Sequence, residues 1–140
     1  MQLPQAGTEL DLGVRTLSRD AIRDFARAYD PLEFHLDEST AKRHMFKDLV
    51  ASGPHIFNLF YKEVWVPRFG ASVLCGLALD NWKFLRPVYP DQPIRCRLVI
   101  SEVIEHPEKK SRSIRWNFNF EQADGSLVQH LEMLVLHRDS

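Results

Sequence analysis

The chain has 140 residues, 18 Lys+Arg against 19 Asp+Glu for a formal net charge of -1, and 44% hydrophobic residues. That balance excludes a disordered or collagen-like chain, and near-neutrality removes the electrostatic footprint of a nucleic-acid binder. No apolar run reaches the length of a membrane span, and residues 1–7 lack a basic stretch followed by an apolar one; the expectation is a soluble, cytoplasmic protein without a signal peptide. A single domain over residues 1–140 is expected. At this size it buries roughly two-thirds of the surface of its unfolded chain and needs no disulfide or metal to hold a core. Cys75 and Cys96 sit in apolar stretches and read as small hydrophobes.

In chain order, residues 8–17 predict a first strand. Ser18 then supplies an N-cap, with Asp20 favourable to the helix dipole. Residues 20–29 place Ile22, Phe25, Ala26 and Tyr29 on one helical face, and Pro31 disfavours helical geometry at Asp30. A loop over residues 30–35 leads to a second short helix that starts at Asp37 or Ser39 and runs to Met45. A third helix opens with Pro54 in its first turn and carries Ile56, Phe57, Phe60, Tyr61, Val64 and Trp65. That arc is wide enough for a helix wrapped on most sides. Pro67 is expected to end it, so residues 53–66 would span about 21 Å.

Four more strands are predicted, over residues 72–80, 92–101, 112–120 and 127–136. In the second of these, Ile94, Cys96, Leu98 and Ile100 alternate with Arg95 and Arg97; in the third, Ile114, Trp116, Phe118 and Phe120 alternate with Arg115, Asn117 and Asn119. Asp124-Gly125 marks a hairpin between the last two, and His106-Pro107 a looser one. A nine-residue strand extends about 30 Å, long enough to curl around the third helix. The pattern therefore reaches an α+β fold with one core helix.

Asp30 and His35 flank a proline-containing loop, and a carboxylate and an imidazole there can converge on one water and move protons near neutral pH. Taken alone, Asp30 also serves as a helix terminator and a loop histidine is commonly solvated. Ser52-Gly53 precedes the apolar helix, whose unpaired N–H groups and positive dipole end suit a carbonyl oxygen that gains negative charge. Gly53 would let a ligand approach the backbone closely; equally, it eases the loop into the helix. The six histidines lack metal-ligand spacing, and His130 and His137 fall on opposite faces of one strand. No triad order, Gly-rich phosphate loop or Cys-x-x-Cys is present.

Three blocks, FARAYDPLEFHLDE (residues 25–38), LVASGPH (49–55) and LDNWKFLRPVYPD (79–91), resemble a MaoC-like dehydratase of the (R)-specific enoyl-CoA hydratase branch. The likeness runs from about residue 8 to 137. It implies a hot-dog fold, a curved antiparallel sheet wrapped around a long central helix. It also implies reversible hydration of trans-2-enoyl thioesters to (3R)-3-hydroxyacyl thioesters, in fatty-acid metabolism. The hydratase motif reads roughly Asp-x-Asn-Pro-(Leu/Ile)-His, so the resemblance assigns catalysis to Asp30 and His35 and the oxyanion contact to the Gly53 N–H. Ser52, Pro54, Asn58 and Arg86 are the candidate substrate contacts, Asn58 as a replacement polar group and Arg86, with Lys83 and Arg95, as a cation for phosphate. Leu32 stands where the motif has Asn, Glu33 where it has Pro, Tyr29 where it has Gly, and Pro54 where many relatives have Trp. No metal or redox cofactor is implied, since the thioester acidifies its own α-carbon; coenzyme A or an acyl-carrier protein enters only as part of the substrate. The resemblance further implies a homodimer or a multiple of one. A thioesterase on the same fold, with Glu63 as the carboxylate of the central helix, and a non-catalytic acyl-thioester-binding subunit are the alternatives.

Overall fold

In the computed structural model, which describes residues 2–139, the alternating segments become five antiparallel strands: β1 (Glu9–Arg15), β2 (Val73–Phe84), β3 (Ile94–His106), β4 (Ser111–Glu121) and β5 (Leu127–Arg138). They lie in the order β1-β3-β4-β5-β2. Ile94, Cys96, Leu98 and Ile100 of β3 and Ile114, Trp116, Phe118 and Phe120 of β4 are fully buried, as period-2 alternation requires of a sheet with one covered face. The opposite face carries ion pairs, Arg95 with Asp11 at 2.5 Å and Arg97 with Glu121 at 2.7 Å.

The covering element is a helical rod made of α4 (His55–Phe60), a π turn (Tyr61–Trp65) and α5 (Val66–Phe69). Its Phe57 and Phe60 meet Phe118 and Phe120 at ring separations of 5.1 and 5.7 Å, and Trp65 and Phe69 meet Trp116 at 5.2 and 4.7 Å. The rod does not stop at Pro67 as its sequence predicts. The π turn bonds the Val66 N–H to the Tyr61 carbonyl, and this register leaves Pro67 at the first turn of α5, where a missing N–H costs little.

Ser18 caps α1 (Arg19–Tyr29) as expected, its Oγ accepting from the Ala21 N–H at 3.1 Å. Ile22 and Ala26 are buried, but Tyr29 is 76% exposed, so the predicted apolar face is narrower than its spacing suggests. The loop predicted over residues 30–35 contains a single helical turn, α2 (Glu33–Leu36), and the next helix, α3 (Glu38–Arg43), is capped by Asp37 through the Thr40 N–H. Cys96 is buried, while Cys75, on the edge strand β2, is exposed.

Candidate active site

Three short segments meet at the start of the rod. Asp30 is the C-cap of α1, its N–H bonded to the Ala26 carbonyl, and Pro31 prevents further helix. Leu32, in extended conformation, starts α2, whose one turn buries His35 while leaving Leu32 and Glu33 exposed. The stretch from Val50 to Gly53 runs alongside, fixed where the Ala51 N–H donates to the Val88 carbonyl at 2.9 Å.

His35 Nδ1 lies 2.6 Å from the Val50 carbonyl, and His35 Nε2 lies 3.4 Å from Asp30 Oδ2. A carbonyl only accepts, so Nδ1 carries a proton, and it is Nε2 that the ring turns toward the carboxylate, as an acceptor in the neutral tautomer. The Ser52 hydroxyl donates to the same Asp30 oxygen at 2.7 Å, holding that side chain in place. Two acceptors side by side are the complement of a water molecule, which has two hydrogens to donate. His35 is 5% exposed and Ser52 is 2% exposed, so the pair works against a largely dry wall.

The group opens into a cavity of about 400 Å³ whose lining includes Asp30, His35, Ser52, Gly53, Pro54 and Arg86. The Gly53 N–H has no acceptor among the described residues, although it sits at the positive end of the rod. Arg86 is exposed at the rim and forms no ion pair among the described residues. The structure does not bring Asn58 here: its Nδ2 donates to the Pro54 carbonyl at 2.9 Å, and it faces a neighbouring cavity with Phe25 and Tyr29 that shares only Asp30, Ser52 and Pro54 with this one. Arg95 is engaged with Asp11, and Lys83 does not line the cavity.

Gly53 has a steric reason to be glycine. A Cβ there would stand 2.6 and 2.8 Å from Cε1 and Cδ1 of Phe84. Gly53→Ala is expected to lower stability by about 1–3 kcal/mol, as overpacking does, and Phe84→Leu in the same chain should restore most of that loss; urea denaturation of the three variants measures both.

Gln129 belongs to none of the sequence motifs, yet it meets the site. It is 2% exposed, and with its amide turned to satisfy both ends, Nε2 donates to the Gly53 carbonyl at 2.9 Å and Oε1 accepts from Trp82 Nε1 at 2.7 Å. Its signal is its parity: residues 129, 131, 133, 135 and 137 of β5 face inward, and Gln129 and His137 are the polar members of that set. Phe46 and Phe84, which also line the cavity, carry no such signal. Glu63 points away from the site, paired with Arg15 at 2.9 Å. His130 and His137 do lie on opposite faces, His130 against Asn119 and Glu132 and His137 in the core. Among the described residues no cluster of three or more His, Cys, Asp or Glu is placed to hold a metal ion, and no helix is long and apolar enough to cross a membrane.

Residues 3–116 match the model of the MaoC like domain. The Bacillus subtilis (strain 168) protein YdeM, whose name calls it uncharacterized, is 30% identical over 97 residues, covering 68% of this chain and 66% of YdeM. Among solved structures, a MaoC-like dehydratase from Rhodospirillum rubrum superposes with a TM-score of 0.84 at 20% identity, covering 98% of this chain and 94% of that one. An (R)-hydratase from A. caviae involved in PHA biosynthesis superposes with a TM-score of 0.75 at 17% identity over the full length of both chains. With its antiparallel sheet wrapped on a central rod, the chain has the hot-dog fold and belongs to the MaoC-like domain family.

Proposed function

We propose that the chain is an acyl-thioester hydratase, adding water reversibly to a trans-2-enoyl thioester to give a (3R)-3-hydroxyacyl thioester. The observation that carries this reading is the Val50 bond to His35 Nδ1, which turns Nε2 toward Asp30, 3.4 Å away, in the cavity that Gly53, with its unengaged N–H, also lines. The thioester oxygen accepts from the Gly53 N–H, close to the rod's positive end. A water held by Asp30 and His35 loses a proton to these two side chains as its oxygen bonds the β-carbon and the π electrons move toward the thioester oxygen; as those electrons return, the α-carbon takes a proton from the same two side chains. No net proton is gained or lost, and attack and protonation occur from the same side. The family's hydratase and dehydratase members support this chemistry. Leu32 and Glu33, which depart from the hydratase motif, are exposed and outside the cavity, so the polar bracing of Asp30 falls instead to Ser52. Arg86 at the rim offers its guanidinium to a phosphate of coenzyme A or of a carrier-protein arm.

Loss of enoyl absorbance on a set of trans-2-enoyl thioesters of graded length tests the reading; release of free thiol without loss of the double bond would instead indicate a thioesterase, and binding without turnover a non-catalytic subunit. A dimer belongs to the same proposal. The edge strand β2 leaves Leu74, Leu77 and Leu79 about half exposed, an edge that a lone copy would have to protect. Sedimentation at micromolar concentration should give twice the chain mass, and Leu77→Lys should shift it toward the monomer.

A further inference from the structure

Two cavities follow one another along the rod, with no lining residue in common. The second, of about 330 Å³, is lined by Phe57, Tyr61 and Trp65 of the rod together with Leu77, Leu79 and Met133. Three elements order the cavities the same way. The rod passes from Gly53 at the first to Phe57 and Trp65 at the second, β5 passes from Gln129 to Met133, and β2, running the other way, passes from Leu79 at the second to Phe84 at the first. Trp82 lines neither, but it packs between Phe57 of the second lining and Phe84 and Gln129 of the first. Its ring lies 5.5 Å from Phe57, edge to face, and 5.6 Å from Phe84, and its Nε1–H donates to Gln129.

A β-bulge puts it there. The β2–β5 register runs to Asp80 opposite Glu132 and resumes with Lys83 opposite His130, so Asn81 and Trp82 together face Leu131. Such a bulge re-aims a side chain beside a site. Asn81 takes the left-handed conformation (φ 51) that the bulge needs, and its Nδ2 donates to Glu132 at 2.6 Å. The indole is thus held by a backbone irregularity on one side and by the amide that braces Gly53 on the other.

Building on the acyl-thioester reading, we propose that Trp82 is a partition that restricts this site to short acyl groups, with the second cavity as a closed-off extension of the first. From Gly53 to Phe57 the rod rises about 6 Å, room for an acyl chain of about four carbons; beyond Trp82, the rod from Phe57 to Trp65 adds about 12 Å. Removing the indole joins the two cavities into one apolar channel.

Saturated butanoyl-CoA and decanoyl-CoA test this, because neither has a double bond to hydrate and both report binding alone. Calorimetric titration should show the unaltered protein binding butanoyl-CoA at least ~10-fold more tightly than decanoyl-CoA. Trp82→Ala should raise the decanoyl-to-butanoyl affinity ratio at least ~10-fold, whatever its effect on the two affinities taken singly through the Gln129 amide. Trp82→Leu leaves a smaller void and serves if the alanine variant fails to fold. A preference of the unaltered protein for decanoyl-CoA, or a decanoyl-to-butanoyl ratio unmoved in the folded variants, overturns the partition. If the binding pattern appears but no enoyl thioester is hydrated, the partition stands and the proposed chemistry fails. If neither thioester binds, both fall.

Discussion

Asp30→Asn is expected to lower hydration of a short trans-2-enoyl thioester by at least ~10²-fold, and His35→Ala by a similar factor, the usual size of a general acid–base contribution. The asparagine keeps the shape of Asp30, and its carbonyl oxygen can still accept from the Ser52 hydroxyl, so the fold and the cavity should survive. What disappears is the negative charge that lets Asp30 carry a proton, 3.4 Å from His35, the water's other acceptor. His35→Ala removes the other acceptor and leaves the Val50 carbonyl without its donor, so it should also lower stability, by about 1–3 kcal/mol. A loss of turnover in Asp30→Asn with an unchanged melting curve would separate chemistry from folding. Full activity in both variants would remove both residues from the mechanism.

The second large effect is acid sensitivity of the fold. His55 stacks on Phe25 with ring centroids 4.2 Å apart, its Nδ1 has no partner, and burial lowers its pKa from 6.5 to about 4. His137 is fully buried: its Nε2 accepts from Trp116 Nε1 at 3.1 Å, and its Nδ1, which must therefore carry the proton, donates to Ser72 Oγ at 2.8 Å. Burial, with a contribution from the Arg112 charge, lowers this pKa to about 4 as well. Both imidazoles are neutral in the folded chain down to about pH 4 but gain a proton near pH 6.5 when unfolded. Above pH 6.5 they contribute no pH dependence; between 6.5 and 4 the unfolded state binds more protons, so stability falls as pH falls. From about pH 7.5 to about pH 5 the expected loss is roughly 2 kcal/mol for each imidazole. The carboxylates whose pKa values are lowered, Asp48 by its hydrogen bonds from Arg19 and Asp37 by those from Thr40, lose their contribution only at lower pH. Urea denaturation across this window measures the slope, and His55→Phe, which keeps the stack on Phe25, should remove about half of it. An unaltered slope in that variant would rule His55 out as a source.

The sequence carried the parts of this fold that repeat. The alternation in β3 and β4 put every predicted inward residue in the core, and Ser18 capped α1 because an N-cap hydroxyl needs only the next turn. Features set by a single irregularity were hidden. Pro67 reads as a stop unless a π turn shifts the register before it. Trp82 faces inward only because two residues of β2 oppose one of β5, which no period-2 count contains. In the site, Asp30 and His35 were legible as a pair, but their separation depends on α2, a single turn too short to show a helical period. The atom that sets the histidine tautomer, the Val50 carbonyl, is a backbone group, and any residue at position 50 would present it. Asn58 lies outside the first cavity for a related reason: its side chain satisfies the Pro54 carbonyl one turn earlier, a local bond that competes with any reach toward a ligand.

The most direct measurement is a double-mutant cycle between Asp30→Asn and His35→Ala, read as kcat/KM for hydration of a but-2-enoyl thioester. If the two side chains hold and deprotonate one water, removing either disables the unit, and the double variant should be no more than a few-fold slower than the worse single variant. Losses that multiply would mean that the two groups act independently, and the shared-water account of this site would be wrong.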